Sequence, residues 1–591
     1  NMNLALTSIQ SGGAYTIIDD FNIYRWRNKS GLEPKALVRP NNEKLVDSKF
    51  SKSGKNELQE FLKEFASIKQ EIGRLSLQQA PASEINDLAN LEVELLAIQK
   101  SLNDCDSPDN FHFYQESIKK GIAQAKSNLA SLKEKQNPFH HKIGTFMRGY
   151  YSEIDGSLQG YALYAPDKYD GKTSFPLVIN LHGYDPSFSS WQENLFLPVF
   201  MPHATTQGRY ILVNPFGRGN TMYQNIGEHD VLTVLSEVKR LYHIDENRIY
   251  LTGGSMGGAG TWNIGLSYPD QFAAIAPIMG PTEFAFWNNP SVENLSPVRK
   301  FILEQRSALS IAENALNLPM FCNHGILDDI VPIEQSRKMV KRFSDLGYEI
   351  TYVEHPEAAH GGFKPEMDYE IHDWFENFQR NPYPKRIIYK TGNLKHPGAY
   401  WVRINRFIDL LKFATIEAEI TSPNLIEVKT DNVAEFSLTF SDELVNIKLP
   451  VKISVNGRLC FQGELSDDKK ITSLARSSKQ GKIIDWSESD LKKNSSFAKN
   501  SVLAGPIIDA YNSSFMLIYG TIGTGQETSV NKQEAETFVD QWRSWQHMWC
   551  RIKSDTDVTA DDIANFNLIL FGNTDCNAMT KKVNASLPIR F

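Results

Sequence analysis

The stretch Arg248-Ile249-Tyr250-Leu251-Thr252-Gly253-Gly254-Ser255-Met256-Gly257 decides how this chain folds. An apolar run ends there in a serine set between glycines. A strand that turns sharply into a helix at a serine passes through strained backbone angles, and bulky neighbours would clash in such a turn. Gly-x-Ser-x-Gly is the pattern that meets this demand. The turn lifts the hydroxyl above the sheet edge and aims the following helix N-terminus at it, which suits a nucleophile. The pentapeptide recurs by chance in long chains, so its context carries the weight: a strand before it, a helix after it, and two partner motifs downstream.

The first partner is His324-Gly325-Ile326-Leu327-Asp328-Asp329-Ile330-Val331-Pro332, which follows the apolar strand Leu318–Cys322. An acid just beyond a strand end can hold an imidazole in one tautomer. Asp328 is the expected acid. Asp329 is its rival, and it could instead cap the helix that starts near Ile333-Glu334. The second partner is Ala358-Ala359-His360-Gly361-Gly362, after the strand Glu349–Glu354. His355 abuts that strand and precedes Pro356, so it belongs to the strand's end. His360 lies farther into the loop, beside two glycines that let the backbone bring the ring near Ser255. The order Ser255, Asp328, His360 is that of the α/β-hydrolase arrangement.

Acyl transfer also requires donors for the oxyanion of a tetrahedral intermediate. The backbone N–H of Met256, next to the nucleophile, is the first expected donor. The strand Phe175–Leu181 runs into His182-Gly183-Tyr184, and the Tyr184 backbone N–H is the expected second donor. His182 precedes Ser255 in the chain and is expected to support the loop rather than act as base.

Together with Tyr150–Ser157, Leu181–Tyr184, Gly227–Val231 and Tyr250–Trp262, these motifs resemble the prolyl-oligopeptidase-like serine hydrolases. The likeness is to the esterase-type branch that includes feruloyl, acetyl and polyhydroxybutyrate-depolymerase-like enzymes. It covers roughly residues 145–380. The resemblance implies an α/β-hydrolase fold with Ser255 as nucleophile, His360 as base and Asp328 as orienting acid. Peptidases of that family carry a β-propeller ahead of the hydrolase domain. A propeller takes at least four blades of about 40–45 residues, more than the residues ahead of this domain can supply. The expected activity is therefore carboxylic ester hydrolysis through an acyl-enzyme on Ser255. A peptidase, or an acyltransferase or cyclase, would use the same triad, and a non-catalytic scaffold is the third alternative. Residues after about 383 resemble C-terminal extensions of some bacterial members.

At 591 residues the chain should hold three or four units, since single cores rarely exceed about 250–300 residues. The expected division is 1–52, a mixed segment; 53–140, a helical hairpin or bundle; 141–382, a doubly wound, mostly parallel α/β unit; and 383–591, a β-rich plus α/β accessory region. Leu58, Leu62, Phe65, Ile68, Ile72 and Leu75 paint one face of a helix. Ile85 to Leu102, and Ile118 to Leu132, repeat that spacing. Such stripes pack on each other or on the hydrolase, or they form a dimerisation arm or a lid over the active site; a homodimer through this region is therefore possible. Pro281 to Asn317, with Phe284, Phe286 and Trp287, should lie above the sheet as an insertion.

Tyr15–Ile18 and Phe21–Tyr24 read as strand fragments, Ser466–Ser501 as a polar loop, and Asn456-Gly457 as a hairpin turn. Phe515–Gly520, a helix near 534–549 and Asn567–Gly572 suggest a small β-α-β unit. Its glycine-rich Gly520–Gly525 lacks the Lys-Ser/Thr of a phosphate loop.

Hydrophobic content of 41% and charged content of 22% are those of an ordinary globular protein. A net charge of −8 without a long basic block points to neither nucleic acid nor an anionic membrane as partner. The expected partner is a small-molecule or polymer-attached ester substrate. Five scattered cysteines argue against a disulfide framework or a zinc site, and no cofactor or metal is expected. No basic, apolar signal segment follows Asn1-Met2-Asn3, which favours a cytoplasmic setting; a secreted protein whose signal peptide has been removed would look the same.

Overall fold

The computed structural model describes residues 4–6, 51–76, 82–185, 208–284, 295–364, 366–465, 471–479, 482–488, 505, 507–546 and 550–587. The strand fragments expected over 15–24 lie outside these residues, as do Phe286 and Trp287.

Eight strands build the central sheet: β2 (Gly144–Tyr151), β3 (Leu158–Ala165), β4 (Phe175–Leu181), β5 (Ile211–Pro215), β6 (Ile244–Gly254), β7 (Ala274–Ile278), β8 (Phe321–Gly325) and β9 (Thr351–His355). Their order is β2-β3-β5-β4-β6-β7-β8-β9. The six strands from β5 to β9 run parallel, while β2 and β3 are antiparallel to their neighbours. β5 and β7 are buried along their whole length, as expected of strands covered on both faces. Helices Ile226–Leu241, Met256–Ser267 and Glu334–Leu346 connect the parallel strands. In such sheets loops at the strand carboxyl ends hold ligands, and the loops after β4, β6, β8 and β9 all lie there.

Helices α1 (Lys52–Ser76), α2 (Ala82–Asn103) and α3 (Pro108–Lys133) precede the sheet. Their stripes pack together: Phe65, Ile68, Leu91, Leu95, Ile118 and Ile122 share one apolar core with Leu163, Ile179 and Val213 of the sheet. Each such side chain contributes about 1.5–3 kcal/mol when fully buried. α2 also closes the sheet's free edge. Asn90 Oδ1 accepts from Gly149 N–H at 3.0 Å and Asn86 Oδ1 from Tyr151 N–H at 3.1 Å, so two outward N–H groups of β2 are paired. A Cβ at Gly149 would stand 2.5 Å from Val93, which is why α2 can lie so close.

Beyond the sheet the chain forms a β-sandwich. One sheet contains β10 (Arg386–Thr391), β13 (Ala414–Ser422), β14 (Leu425–Asp431), β16 (Val451–Val455) and β17 (Arg458–Gly463). The other contains β11 (Gly398–Ala399), β12 (Val402–Phe407), β15 (Val433–Thr439), β18 (Ile471–Lys479) and β19 (Lys482–Glu488). The polar stretch 466–501 therefore departs from the expected loop. Within it, residues 471–479 and 482–488 form the hairpin β18–β19, which pairs with β15 and sends Leu474 and Trp486 into the sandwich core, while the rest of the stretch lies outside the described residues. The Ser- and Lys-rich composition hides a strand pattern, and pairing with β15 decides the outcome. The turn at Asn456-Gly457 joins β16 to β17 with both residues at positive φ (50° and 78°), as a two-residue hairpin requires.

A last sheet, in the order β1-β22-β20-β21, joins β20 (Phe515–Tyr519), β21 (Arg551–Ser554) and β22 (Asn567–Phe571) to β1 (Leu4–Leu6) in parallel. Its long helix spans Gly525–Gln546, starting directly after the glycine-rich loop rather than near 534.

Candidate active site

β6 runs into helix Met256–Ser267 through a single residue, Ser255, with φ 58° and ψ −117°. A non-glycine residue persists in this region only where its surroundings fix it. Ser255 N–H donates to the Ile278 carbonyl at 3.0 Å, and its own carbonyl accepts from Ala259 N–H at 3.0 Å. The flanking glycines are required sterically. A Cβ at Gly253 would meet Leu181 O at 2.6 Å, and one at Gly257 would collide with the same oxygen. At Gly254, the variable position of the motif, the nearest atom is Met279 Cε at 3.5 Å.

The three side chains singled out from distant parts of the chain meet. His360 Nε2 lies 2.7 Å from Ser255 Oγ. His360 Nδ1 lies 2.8 Å from Asp328 Oδ2 and 3.0 Å from Oδ1. A carboxylate only accepts, so Nδ1 carries the proton and Nε2 presents a lone pair to the serine hydroxyl. Asp328 is buried, 8% exposed, and its Oδ1 also accepts from Ile330 N–H (3.0 Å) and Val331 N–H (2.8 Å). Asp329 is exposed. The helix after this loop is capped by neither aspartate: its N-cap is Ile333, without a side-chain bond. The two loops are sewn together by Leu327 N–H to Ala358 O (3.0 Å) and Ile326 N–H to His355 O (2.9 Å). Gly361 and Gly362, at φ 111° and 72°, let the chain reverse just beyond His360.

Met256 is the first residue of its helix, so its N–H has no intrahelical partner. The loop after β4 borders Ser255: a Cβ at Gly183 would lie 3.8 Å from Ser255 Cβ. Tyr184 follows, its side chain largely exposed. The ring nitrogens of His182 face the carbonyls of Gly183 and Phe216, each at 2.8 Å. Burial holds its pKa below the ordinary imidazole range, and a neutral ring donates to one of these carbonyls at a time. His355 ends β9, with Nε2 2.9 Å from Asn323 Oδ1.

One neighbour of the site escaped the sequence reading. His324 is fully buried behind Asp328, with Nε2 2.9 Å from Val331 O and 3.4 Å from Asp328 Oδ2. Its Nδ1 lies 2.7 Å from Ser336 Oγ. Burial lowers its pKa, and the Val331 carbonyl fixes the proton on Nε2, so Ser336 donates to Nδ1. The signal was its place at the head of the acid's own motif.

Among the described residues, no group of three or more His, Cys, Asp or Glu is placed to hold a metal ion. The glycine-rich loop after β20 is also closed to anions. Thr524 and Glu527 cap the following helix reciprocally, with Thr524 N–H to Glu527 Oε2 at 2.8 Å and Glu527 N–H to Thr524 Oγ1 at 3.2 Å. A carboxylate thus already occupies the helix N-terminus.

Residues 217–381 match the model of the Prolyl oligopeptidase family. The uncharacterized peptidase YuxL of Bacillus subtilis is 27% identical over 239 residues, 36% of this chain and 34% of that protein. The bifunctional acetylxylan esterase/xylanase XynS20E of Neocallimastix patriciarum is 26% identical over 198 residues, 33% of this chain and 25% of that protein. A probable feruloyl esterase C of Aspergillus niger is 22% identical over 246 residues, 41% of this chain and 80% of that protein. The chain thus spans about a third or less of the first two relatives. Among solved structures, a ferulic acid esterase aligns with a TM-score of 0.32 at 17% identity, covering 40% of this chain and 99% of that one. An acylaminoacyl peptidase aligns with a TM-score of 0.32 at 19% identity, covering 40% and 42%. Over residues 217–381, which include Ser255, Asp328 and His360, this chain carries a prolyl oligopeptidase family domain.

Proposed function

We propose that this protein is a serine hydrolase that cleaves carboxylic esters through an acyl-enzyme on Ser255. The observation that carries the reading is the continuous hydrogen-bonded line from Ser255 Oγ through His360 to the buried Asp328. His360 Nε2 takes the Ser255 proton as Oγ attacks the ester carbonyl, and Asp328 stabilises the imidazolium. The Met256 and Tyr184 N–H groups receive the oxyanion. Collapse expels the alcohol, protonated by His360, and water activated by the same ring releases the acid.

Amide and ester cleavage use the same groups, so the choice of substrate rests on other support. Two relatives are described as an acetylxylan esterase and a probable feruloyl esterase, which favours an acyl group on a carbohydrate. YuxL, described as a peptidase, keeps the second reading in play.

Purified protein should hydrolyse p-nitrophenyl acetate and be labelled by a fluorophosphonate. Ser255→Ala should abolish labelling and lower turnover by about 10⁴–10⁶. Retained labelling in that variant refutes the nucleophile. Faster turnover of aminoacyl p-nitroanilides than of acetyl and feruloyl esters would replace the esterase by a peptidase. Acyl products that appear mainly on an added alcohol would make it a transferase. A wild-type protein inert towards every activated ester would leave the scaffold reading.

A further inference from the structure

The loop between β5 and helix Ile226–Leu241 holds an unusual density of strained backbone. Arg218, Met222 and Tyr223 all have positive φ, at 58°, 56° and 52°. Such residues persist only where the surroundings over-determine them, and the contacts that do so are visible. The Arg218 guanidinium is buried and bonds to Asp155 Oδ2 (3.2 Å) and Ser157 Oγ (3.1 Å). Gly217 N–H donates to the buried Asp230 at 2.8 Å, and Asp230 also accepts from the Tyr150 hydroxyl. Thr221 Oγ1 closes the turn on Gly217 O at 2.6 Å.

What this rigid loop presents is a set of contacts to the segment after β4. His182 Nε2 lies 2.8 Å from Phe216 O, and the Tyr223 hydroxyl donates to His182 O at 3.2 Å. Asn220 makes the most specific contact. Its Oδ1 accepts from Asp185 N–H at 3.1 Å, and its Nδ2 donates to Asp185 O at 2.7 Å. One planar amide thereby engages both polar groups of the residue next to Tyr184, as a neighbouring strand would. The two partners fix the amide's orientation, since a flipped amide would set N–H against N–H and O against O.

We infer that Asn220 is a positioning residue for the oxyanion loop: it holds Asp185, and through it the Tyr184 N–H, at the height of the carbonyl bound to Ser255. This rests on the reading of Tyr184 N–H as a donor. Asn220 does not touch the reacting atoms. Its effect arises because an oxyanion donor acts over a narrow distance range and its removal costs about 10²–10³ in kcat; a displaced donor loses part of that.

The test uses the full chain with Asn220→Ala and Asn220→Asp. Active sites are counted by end-point titration with a fluorophosphonate, and kcat is taken per titrated site, so unfolded protein does not register. Expected are a fall in kcat of about 10–100-fold with KM within threefold, and an equal loss of affinity for a trifluoromethyl ketone, whose adduct on serine bears an oxyanion. Asn220→Asp keeps the volume and the acceptor but turns a lone pair towards Asp185 O, so it should be impaired at least as much as Asn220→Ala. A role in packing alone would spare it. If both variants keep kcat and ketone affinity within threefold, the inference is overturned while the nucleophile stands. A wild-type protein that binds the ketone no better than the parent ester overturns the oxyanion reading itself, and the inference with it.

Discussion

Asp328→Asn removes one charge and almost no volume, and the hydrogen bonds around the carboxylate dictate its effect. Asp328 Oδ1 is held by the Ile330 and Val331 N–H groups, which only donate. Asparagine must therefore place its oxygen there and its NH₂ at the Oδ2 position, 2.8 Å from His360 Nδ1. Two donors cannot face each other, so the imidazole gives up its Nδ1 proton and carries it on Nε2. That proton then points at Ser255 Oγ, and the ring can no longer accept one. The expected loss is about 10³–10⁴ in kcat, about 4–5.5 kcal/mol of transition-state stabilisation. The fold should be unaffected, because the two backbone N–H groups keep their acceptor. Initial rates with p-nitrophenyl acetate, alongside a thermal melt, measure both. Asp329→Asn is the control: its side chain is exposed, and activity should stay within about twofold. If Asp328→Asn retained a tenth of wild-type turnover, or Asp329→Asn matched its loss, the tautomer argument would fail.

Tyr184→Phe leaves the backbone N–H in place, so kcat should change by less than about threefold. A hundredfold loss, the scale of a deleted oxyanion donor, would transfer that role to the hydroxyl. At the elbow, Gly257→Ala should abolish activity and lower the melting temperature, since its Cβ meets the fixed Leu181 carbonyl. Gly254→Ala, which meets only the flexible end of Met279, should keep most of its activity; equal damage from both would refute the steric account. At the junction with the sandwich, Glu228 is buried with His396 at 2.9 Å, Lys395 at 3.3 Å and the Tyr268 hydroxyl at 2.8 Å. Burial alone would push its carboxyl up, but these partners outweigh it and hold the pKa well below the ordinary value of 4.5. A depressed folded pKa means the stabilisation is full above that ordinary value and fades as pH falls below it. Glu228→Gln should therefore cost about 3–5 kcal/mol near neutral pH, with the gap to wild type narrowing in acid. Urea melts at pH 7 and pH 4 check the sign, and a gap that widens in acid contradicts it.

Much of the parallel sheet was legible because its strands are continuous apolar runs and its helices carry stripes. Leu58 to Ile72 and Leu88 to Leu102 could bury one face in no other way. The hairpin β18–β19 was illegible for the opposite reason: its stretch is rich in Ser and Lys, and the pairing partner β15 lies more than thirty residues away. The strand Leu4–Leu6, which pairs with β22 at the far end of the chain, is beyond any local pattern.

At the site, Gly-x-Ser-x-Gly is a local demand. Gly253 and Gly257 answer the nearby Leu181 carbonyl, so the sequence by itself marked Ser255 and the turn that carries it. Asp328 and Asp329 are adjacent and chemically alike. Only the packed loops decide that one is buried against His360 and the other faces solvent. Asn220 becomes visible only in three dimensions, because its partner Asp185 lies in another loop and a side-chain hydrogen bond imposes no periodicity on the chain. Composition and spacing report what a segment does to its own backbone; the contacts that align a hydroxyl, an imidazole and a carboxylate form only once the sheet has brought its loops to one end.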